Sequence, residues 1–213
     1  MLTHKRRSVT LALLVAFFIP TALADKYASI IIDDLGNNLD YGRMAIDIPG
    51  PVTLAFLPHT DFASTLASKA HASGKEIMLH LPLQSVRHYN HTPGTLTLHM
   101  THHEFVSQLR SDLASVPYVR GINNHMGSDL TQRRRQMAWL MQELRWQELY
   151  FVDSRTSDKT VAAIVAEEFN VPNLSRKIFL DNERTREAIA ARFDELIVTA
   201  REEGLAVAIG HPY

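Results

Sequence analysis

The sequence contains no cysteine among its 213 residues. That absence excludes disulfide bonds, thiolate metal sites and a cysteine nucleophile. Neither sign of charge is in excess, since 22 Lys and Arg stand against 23 Asp and Glu, so no nucleic-acid partner is predicted. Repeats and low-complexity tracts are missing as well. With 46% hydrophobic residues, the composition is that of an ordinary globular protein.

Long apolar segments are also scarce, and the longest apolar run covers only residues 9–19 near the amino terminus. Three basic residues at 5–7 precede it, and the small-x-small pattern of a cleavage site follows at 22–24. We interpret residues 1–24 as a signal peptide and 25–213 as a single domain. An uncleaved anchor is the alternative, although the run is short for a span of about 20 residues. The sequence therefore predicts an exported, periplasmic protein without a stable membrane anchor after cleavage.

Apolar runs alternate with helical patterns along the rest of the chain. The runs are nearly continuous, as in strands that are buried on both faces of a parallel sheet. Helix-capping residues introduce the segments between them. The predicted strands cover 27–32, 52–57, 76–81, 118–123, 149–152, 177–180 and 205–209. The predicted helices begin at Thr60-Asp61 and at a capping box over 101–104, and cover 132–146, 159–169 and 183–203.

This alternation predicts an α/β fold with a mostly parallel sheet covered by helices. Seven strand–helix units are many for an open sheet of this length, so we expect a (β/α) barrel. The chain ends just past the last predicted strand, where a closed barrel would continue into a helix. We therefore expect either a barrel that lacks its last helix or a seam that is covered differently. Chemistry in such folds gathers at the carboxyl ends of the strands.

Several apolar side chains are predicted to be core residues by their helical spacing. Ile189 and Phe193 fall on the inward face of the last helix, and Trp139 and Trp146 share the spacing of the inward methionines. The long irregular stretch over 84–100 is predicted to be a surface loop above the site. Its Tyr89 is a candidate for stacking on a substrate.

Polar residues follow most of the predicted strands. If the strands are parallel, these residues converge on one rim of the barrel. Three carboxylates and three imidazoles that lie so close together are not explained by core packing. A mixed Asp/His set suits a divalent ion such as Zn²⁺ with an open position for water. Both aspartates of the first strand end can reach one site only if the chain turns there, and residues 35–38 have turn chemistry. The residues are Asp33, Asp34, His80, Asn123, Asn124, His125, Asp153, Ser154 and His211.

With these residues in their order, the sequence resembles the divergent polysaccharide deacetylase family, a remote branch of the NodB-homology carbohydrate esterases. The likeness covers about residues 26–213. It implies a distorted seven-stranded (β/α) barrel that removes acetyl groups from sugars with a divalent metal. The matching segments are Ile31-Ile32-Asp33-Asp34-Leu35-Gly36, Glu76-Ile77-Met78-Leu79-His80-Leu81-Pro82-Leu83, Gly121-Ile122-Asn123-Asn124-His125-Met126-Gly127-Ser128, Phe151-Val152-Asp153-Ser154-Arg155-Thr156 and Ile209-Gly210-His211-Pro212.

The resemblance also implies roles for single residues. Asp33 matches the general base, Asp34 a metal ligand, and His80 the first of two histidine ligands. The second histidine is expected four residues later, where this sequence has Gln84, and we take His125 as its replacement.

The resemblance also implies which residues act as general acid and which bind substrate. His211 matches the general-acid histidine, and Asp153 matches a supporting catalytic carboxylate. Arg155 is the candidate for the arginine that the family usually carries. We expect Asn124, Arg155 and Tyr89 to bind substrate.

Two hypotheses lead, and they belong to different classes. The first is a metal-dependent enzyme, with Zn²⁺ as the expected cofactor, that deacetylates an envelope polysaccharide such as peptidoglycan. Because Gln84 replaces a ligand, the second is a non-catalytic carbohydrate-binding module on the same scaffold. A metal hydrolase that acts on esters or phosphoesters is the third alternative.

Overall fold

The computed structural model describes residues 25–87 and 92–213. The signal-peptide prediction for residues 1–24 and the stacking prediction for Tyr89 lie outside this range. The strands are β1 (Tyr27–Leu35), β2 (Thr53–Phe56), β3 (Glu76–Leu83), β4 (Val119–Met126), β5 (Tyr150–Asp153), β6 (Asn173–Ser175), β7 (Ile178–Phe179) and β8 (Leu205–Gly210). The helices are α1 (Leu39–Ile46), α2 (Ala63–Ala72), α3 (His102–Ser115), α4 (Arg134–Trp146), α5 (Ala162–Glu168) and α6 (Arg186–Glu203).

The sheet is parallel at every strand pair and has the order β6-β5-β4-β3-β2-β1-β8-β7. Its two edge strands are separated in the chain by Arg176 and Lys177 alone. The N–H of Arg176 donates to the carbonyl of Asp153 (2.9 Å), and that of Lys177 donates to the carbonyl of Val207 (2.9 Å). These two consecutive residues therefore bond to β5 and β8, which lie near opposite ends of the strand order. The sheet curls into an incompletely closed barrel.

The α/β architecture with a curled parallel sheet confirms the coarse prediction, but the strand count is eight instead of seven. The expected strand over 177–180 shrinks to the two-residue β7, and β6 is an additional three-residue strand. Helix α1 was not predicted either. Its cap is Asn38, whose side chain accepts hydrogen bonds from the N–H groups of Asp40 (2.9 Å) and Tyr41 (3.0 Å).

The main apolar core lies between the outer face of the sheet and the helices. Helix α2 buries Leu66 and Ala70, and helix α4 buries Met137 and Leu140. Helix α3 starts at the predicted capping box, because Thr101 and Glu104 exchange hydrogen bonds with each other's N–H groups. No helix in the described ranges is long and apolar enough to cross a membrane.

Three of the predicted core residues are on the surface. Trp146 is 72% exposed, and Ile189 and Phe193 are 38% and 44% exposed. Helix α6 buries only Leu196 and Ala200 of its side chains, since it meets the barrel along a narrow strip. Helical spacing identifies one face of a helix, but the width of the buried strip depends on how many neighbours the helix has.

A buried carboxylate ties α3 to the loop after β2. Asp112 is fully buried, and its Oδ1 accepts from Gln108 Nε2 (2.8 Å) and lies 2.9 Å from His59 Nε2. Its Oδ2 has no hydrogen-bond partner in the described structure. Burial raises the pKa of Asp112 to about 6, although Gln108 and His59 oppose that shift.

We expect Asp112→Asn to flatten the pH dependence of stability. Between pH of about 4, where an unfolded Asp titrates, and about 6, the folded protein holds this proton more tightly than the unfolded chain. The free energy of unfolding therefore falls as pH rises through this window, by on the order of 2 kcal/mol. Urea unfolding at several pH values measures the slope, with the exposed Asp61→Asn as control. Parallel profiles for wild type and D112N would contradict the assignment.

Candidate metal centre

The predicted polar residues of β1, β3, β4 and β8 meet at the carboxyl end of the barrel. Asp33 and Asp34 are near the end of β1, and His80 lies on β3. His125 is near the end of β4, and His211 follows β8. The site is formed here because all strands are parallel and end on the same rim.

The backbone turns at Asp34, which brings both aspartates to the site. Asp34 has a φ of 58°, and the pairing of β1 with β2 is irregular between Ile32 and Leu35. Two neighbours on a regular strand would point to opposite faces. The turn therefore lies on Asp34 itself, one residue before the segment that the sequence suggested. Gly36 follows with a φ of 115°, where a Cβ would lie 2.1 Å from Thr60 Oγ1.

Asp34, His80 and His125 present one ligand atom each to a common point. The three atoms all lie within 4.8 Å of one another. Asp34 Oδ1 is 3.2 Å from His80 Nε2 and 3.0 Å from His125 Nδ1, and the two histidine nitrogens are 3.1 Å apart. One carboxylate and two imidazoles form a three-ligand set that leaves a further position open, as in catalytic zinc sites.

The chemistry of these donors fits a divalent cation. Asp34 Oδ1 is buried, and despite its two close nitrogens it has no partner with hydrogen-bond geometry in the described structure. Burial alone would raise the pKa of Asp34, but His125 and His80 outweigh it and hold the pKa well below its usual range. Asp34 is therefore ionised, which is the state that binds metal.

Asn123 connects the ligand His80 to the second aspartate. Its Nδ2 donates to Asp33 Oδ1 (2.7 Å), so its Oδ1 faces His80 Nδ1 at 2.8 Å. His80 Nδ1 therefore carries a proton, and Nε2 is the nitrogen directed to Asp34 and His125. Burial would lower the pKa of His80, but Asp33 and Asp34 outweigh it and raise the pKa to about 9, so a metal that binds Nε2 would displace a proton. Such an outer hydrogen bond fixes the tautomer and the ring orientation of a ligating histidine.

Asp33 is buried beside the ligand His80, next to its Nδ1, and is not one of the three converging ligands. Its Oδ2 lies 3.5 Å from His80 Nδ1, and its side chain is 3% exposed. Burial raises the pKa of Asp33 above its ordinary value, although His80 and Asn123 act in the opposite direction. A carboxylate with a raised pKa is a stronger proton acceptor, so it suits a general base.

His211 lies across the site from these groups and is oriented by Asp181. Its Nδ1 is 3.0 Å from Asp181 Oδ2, and its own N–H donates to the same oxygen (2.6 Å). Its Nε2 is directed to the site, 3.9 Å from Asp34 Oδ2. Burial would lower the pKa of His211, but Asp181 raises it above the usual value, which favours the protonated ring.

Asp153, which the resemblance matched to a supporting catalytic carboxylate, has its side chain in the turn after β5. Its oxygens accept from the N–H of Arg155 (2.8 Å) and from the hydroxyl of Thr160 (2.9 Å). The carboxylate at hydrogen-bond distance from the His211 ring is that of Asp181.

The two other predicted substrate-binding residues differ in how free their side chains are. Asn124 uses both ends of its amide within the protein, donating to the carbonyl of Met126 (2.7 Å) and accepting from the N–H of Ser154 (2.9 Å). Arg155 is exposed at the rim, with a φ of 47°.

Gln84, at the position of the expected second histidine, connects two loops. Its Nε2 donates to Asp129 Oδ2 (3.1 Å), and its Oε1 accepts from the N–H of Leu98 (2.9 Å). These contacts anchor the described part of the loop over 84–100 beside β3. Gln84 thus has a structural role, and His125 provides the nitrogen near Asp34 and His80.

Sequence reasoning missed Asp181, and it placed Asn123 at the rim without giving it a role. Asn123 is directly opposite His80 in the register between β3 and β4. Asn123 belongs to the strand end that the sequence identified, but the substrate-binding role was assigned to its neighbour Asn124. Asp181 follows β7, so the rule that polar residues end strands could have found it.

Comparisons with known proteins place these residues in a family context. The model of the family described as divergent polysaccharide deacetylase matches residues 30–213. An uncharacterized protein of Escherichia coli K12, YibQ, is 37% identical over 213 residues, which are all of this chain and 66% of that protein. An uncharacterized protein of Haemophilus influenzae is 33% identical over 92% of this chain and 70% of its own length.

Solved structures show the same fold. The uncharacterized protein ATU2773 of Agrobacterium tumefaciens C58 superposes with a TM-score of 0.85 at 24% identity, covering 91% of this chain and 80% of that one. A lactam utilization protein of Thermus thermophilus gives a TM-score of 0.54 at 12% identity, covering 88% of this chain and 90% of its own.

Proposed function

The chain belongs to the divergent polysaccharide deacetylase family, and from this membership and the site geometry we propose that it is a metal-dependent hydrolase of amide-linked acetyl groups. Its substrate would be an acetylated envelope polysaccharide, peptidoglycan being one candidate. The observation that carries the proposal is the convergence of Asp34, His80 and His125, with the buried carboxylate of Asp33 next to His80 and the imidazole of His211 next to Asp34.

Asp34, His80 and His125 would hold the ion, and Zn²⁺ suits one carboxylate and two imidazoles. When bound, it would supply Lewis-acid polarisation of the acetyl carbonyl and lower the pKa of water. The residues around the metal position then have separate roles in the reaction. Asp33, held by Asn123, accepts the proton of the attacking water.

His211 completes the reaction on the other side of the site. Breaking the carbon–nitrogen bond requires a proton on the departing sugar nitrogen, and the Nε2–H of His211 can supply it. Asp181 keeps Nδ1 protonated, so Nε2 is the nitrogen directed to the substrate. Acetate and a free amino sugar are the products.

The expected location agrees with this substrate class. The predicted signal peptide would bring the protein to the periplasm, where envelope polysaccharides are found. Removing residues 1–24 leaves 19 Lys and Arg against 23 Asp and Glu, so a mildly acidic protein meets the glycan. Arg155 at the rim is the proposed contact for polar substituents of the sugar.

A carbohydrate-binding module without catalysis is the second candidate. Gln84 favours it, because the second histidine of the motif is replaced by a residue with structural contacts. This module would bind glycans equally well with and without metal.

Acetate release from N-acetylated glucosamine oligomers and from purified peptidoglycan tests the proposal. The purified protein is stripped with a chelator, reconstituted with Zn²⁺ and analysed for metal content in parallel. We expect about one equivalent of metal, with activity lost on stripping and restored by Zn²⁺. Glycan binding without metal uptake or acetate release would contradict the proposal and support the binding module.

A further inference from the structure

The inside of the barrel is layered, and the layers differ in polarity. Residues at every second strand position face the lumen. At the carboxyl end these are the polar residues of the metal centre. Below them lies an apolar cluster that includes Ile31, Met78, Val152 and Val207. A cavity of about 410 Å³ extends from this cluster to the amino end of the strands, and we call it the amino-end cavity.

Residues without a bulky apolar side chain line the amino-end cavity and keep it open. Ser29, Thr53 and Glu76 line it from β1, β2 and β3, and they carry little apolar bulk. On β4 the neighbouring position is Gly121, where a Cβ would lie 2.5 Å from the ring of Tyr150. The missing side chain therefore lets the Tyr150 ring lie against the backbone of β4 and form one wall.

The walls are mainly apolar, and the polar groups of the cavity converge on one carboxylate. Thr53 Oγ1 (2.9 Å) and Tyr150 Oη (2.6 Å) both donate to Glu76 Oε1. In the described structure Glu76 Oε2 receives no hydrogen bond from a side chain, so an acceptor remains at the mouth. Burial and Glu76 raise the pKa of the Tyr150 hydroxyl, and the positive charge of Arg120 on β4 acts in the opposite direction.

We propose that the amino-end cavity is a second binding site, separate from the metal centre, for a small primary amine with an apolar body. The body would lie against Met78, Val152 and Val207, and the ammonium group would donate to Glu76. A volume of about 410 Å³ is in the range of small-molecule sites, which combine apolar walls with a few convergent polar groups. A carboxylate with an unused oxygen selects a cationic donor over a neutral or anionic group.

Binding of 2-phenylethylamine to the purified protein tests this site. We expect a dissociation constant of about 0.1–1 mM, as for a good ligand of this size. The neutral analogue 2-phenylethanol should bind about tenfold more weakly, because it lacks the charge-assisted hydrogen bond. Methyl chemical shifts of Met78, Val152 and Val207 should respond to the amine and locate it in the cavity.

Two variants separate the cavity from other sites. Glu76→Gln should remove the preference for the amine over the alcohol, and Ser29→Leu should abolish binding of both by filling the cavity. Equal binding of amine and alcohol to wild type, unchanged binding to E76Q, or shifts confined to the metal centre would overturn the proposal. If S29L does not fold, E76Q and the shift map decide. None of these readouts depends on deacetylation or on metal.

Discussion

Asp33→Asn is expected to lower the rate of acetate release by about 10²–10⁴-fold, the usual contribution of a general base. The substitution keeps the shape of the side chain, so its Oδ1 can still accept from Asn123 Nδ2. The other amide atom has no lone pair with which to take a proton from water. Steady-state kinetics on an acetylated oligosaccharide measure the loss in kcat.

The decisive control for Asp33→Asn is metal content. Asp33 contacts Asn123 and His80 but is not one of the three converging ligands, so D33N should bind as much Zn²⁺ as wild type. The exposed Asp158→Asn should leave both metal and rate unchanged. A D33N protein with full metal and an unchanged rate would remove Asp33 from the mechanism. Loss of metal together with rate would make Asp33 part of the metal site instead.

The elements that sequence reasoning found are those with a strong local signal. Strands β1 and β3 are continuous apolar runs, and α3 has a capping box that the structure contains. The missed elements are short. Strand β6 has three residues and β7 has two, and their hydrogen bonds depend on how the barrel curls. No local pattern encodes that curvature.

The candidate site was likewise predicted only in part. Parallel strands were enough to predict that Asp34, His80, His125 and His211 share one rim. They could not show which carboxylate meets His211. Asp181 does so because β7 pairs with β8 across the end of the sheet, a neighbour relation that is not visible in chain order.

The choice between Asn123 and Asn124 likewise depended on strand register. Asn123 faces His80 and Asp33 inside the barrel, while Asn124 faces the turns after β4 and β5. A one-residue change exchanges the two faces of a strand. Residue type and spacing alone therefore could not show which of the two asparagines contacts His80 and Asp33.

His125→Ala is expected to weaken Zn²⁺ binding by more than about 100-fold, since losing a direct ligand costs more than losing an outer hydrogen bond. This residue is a sharper test than His80, which also holds Asn123 and is nearly fully buried. The His125 side chain is 16% exposed, so its removal should leave the fold intact. Zinc competition titrations measure the affinity, and the exposed His71→Ala is the matched control. If H125A kept wild-type affinity, the replacement of the motif's second histidine by His125 would be wrong, and a residue outside the three would have to complete the site.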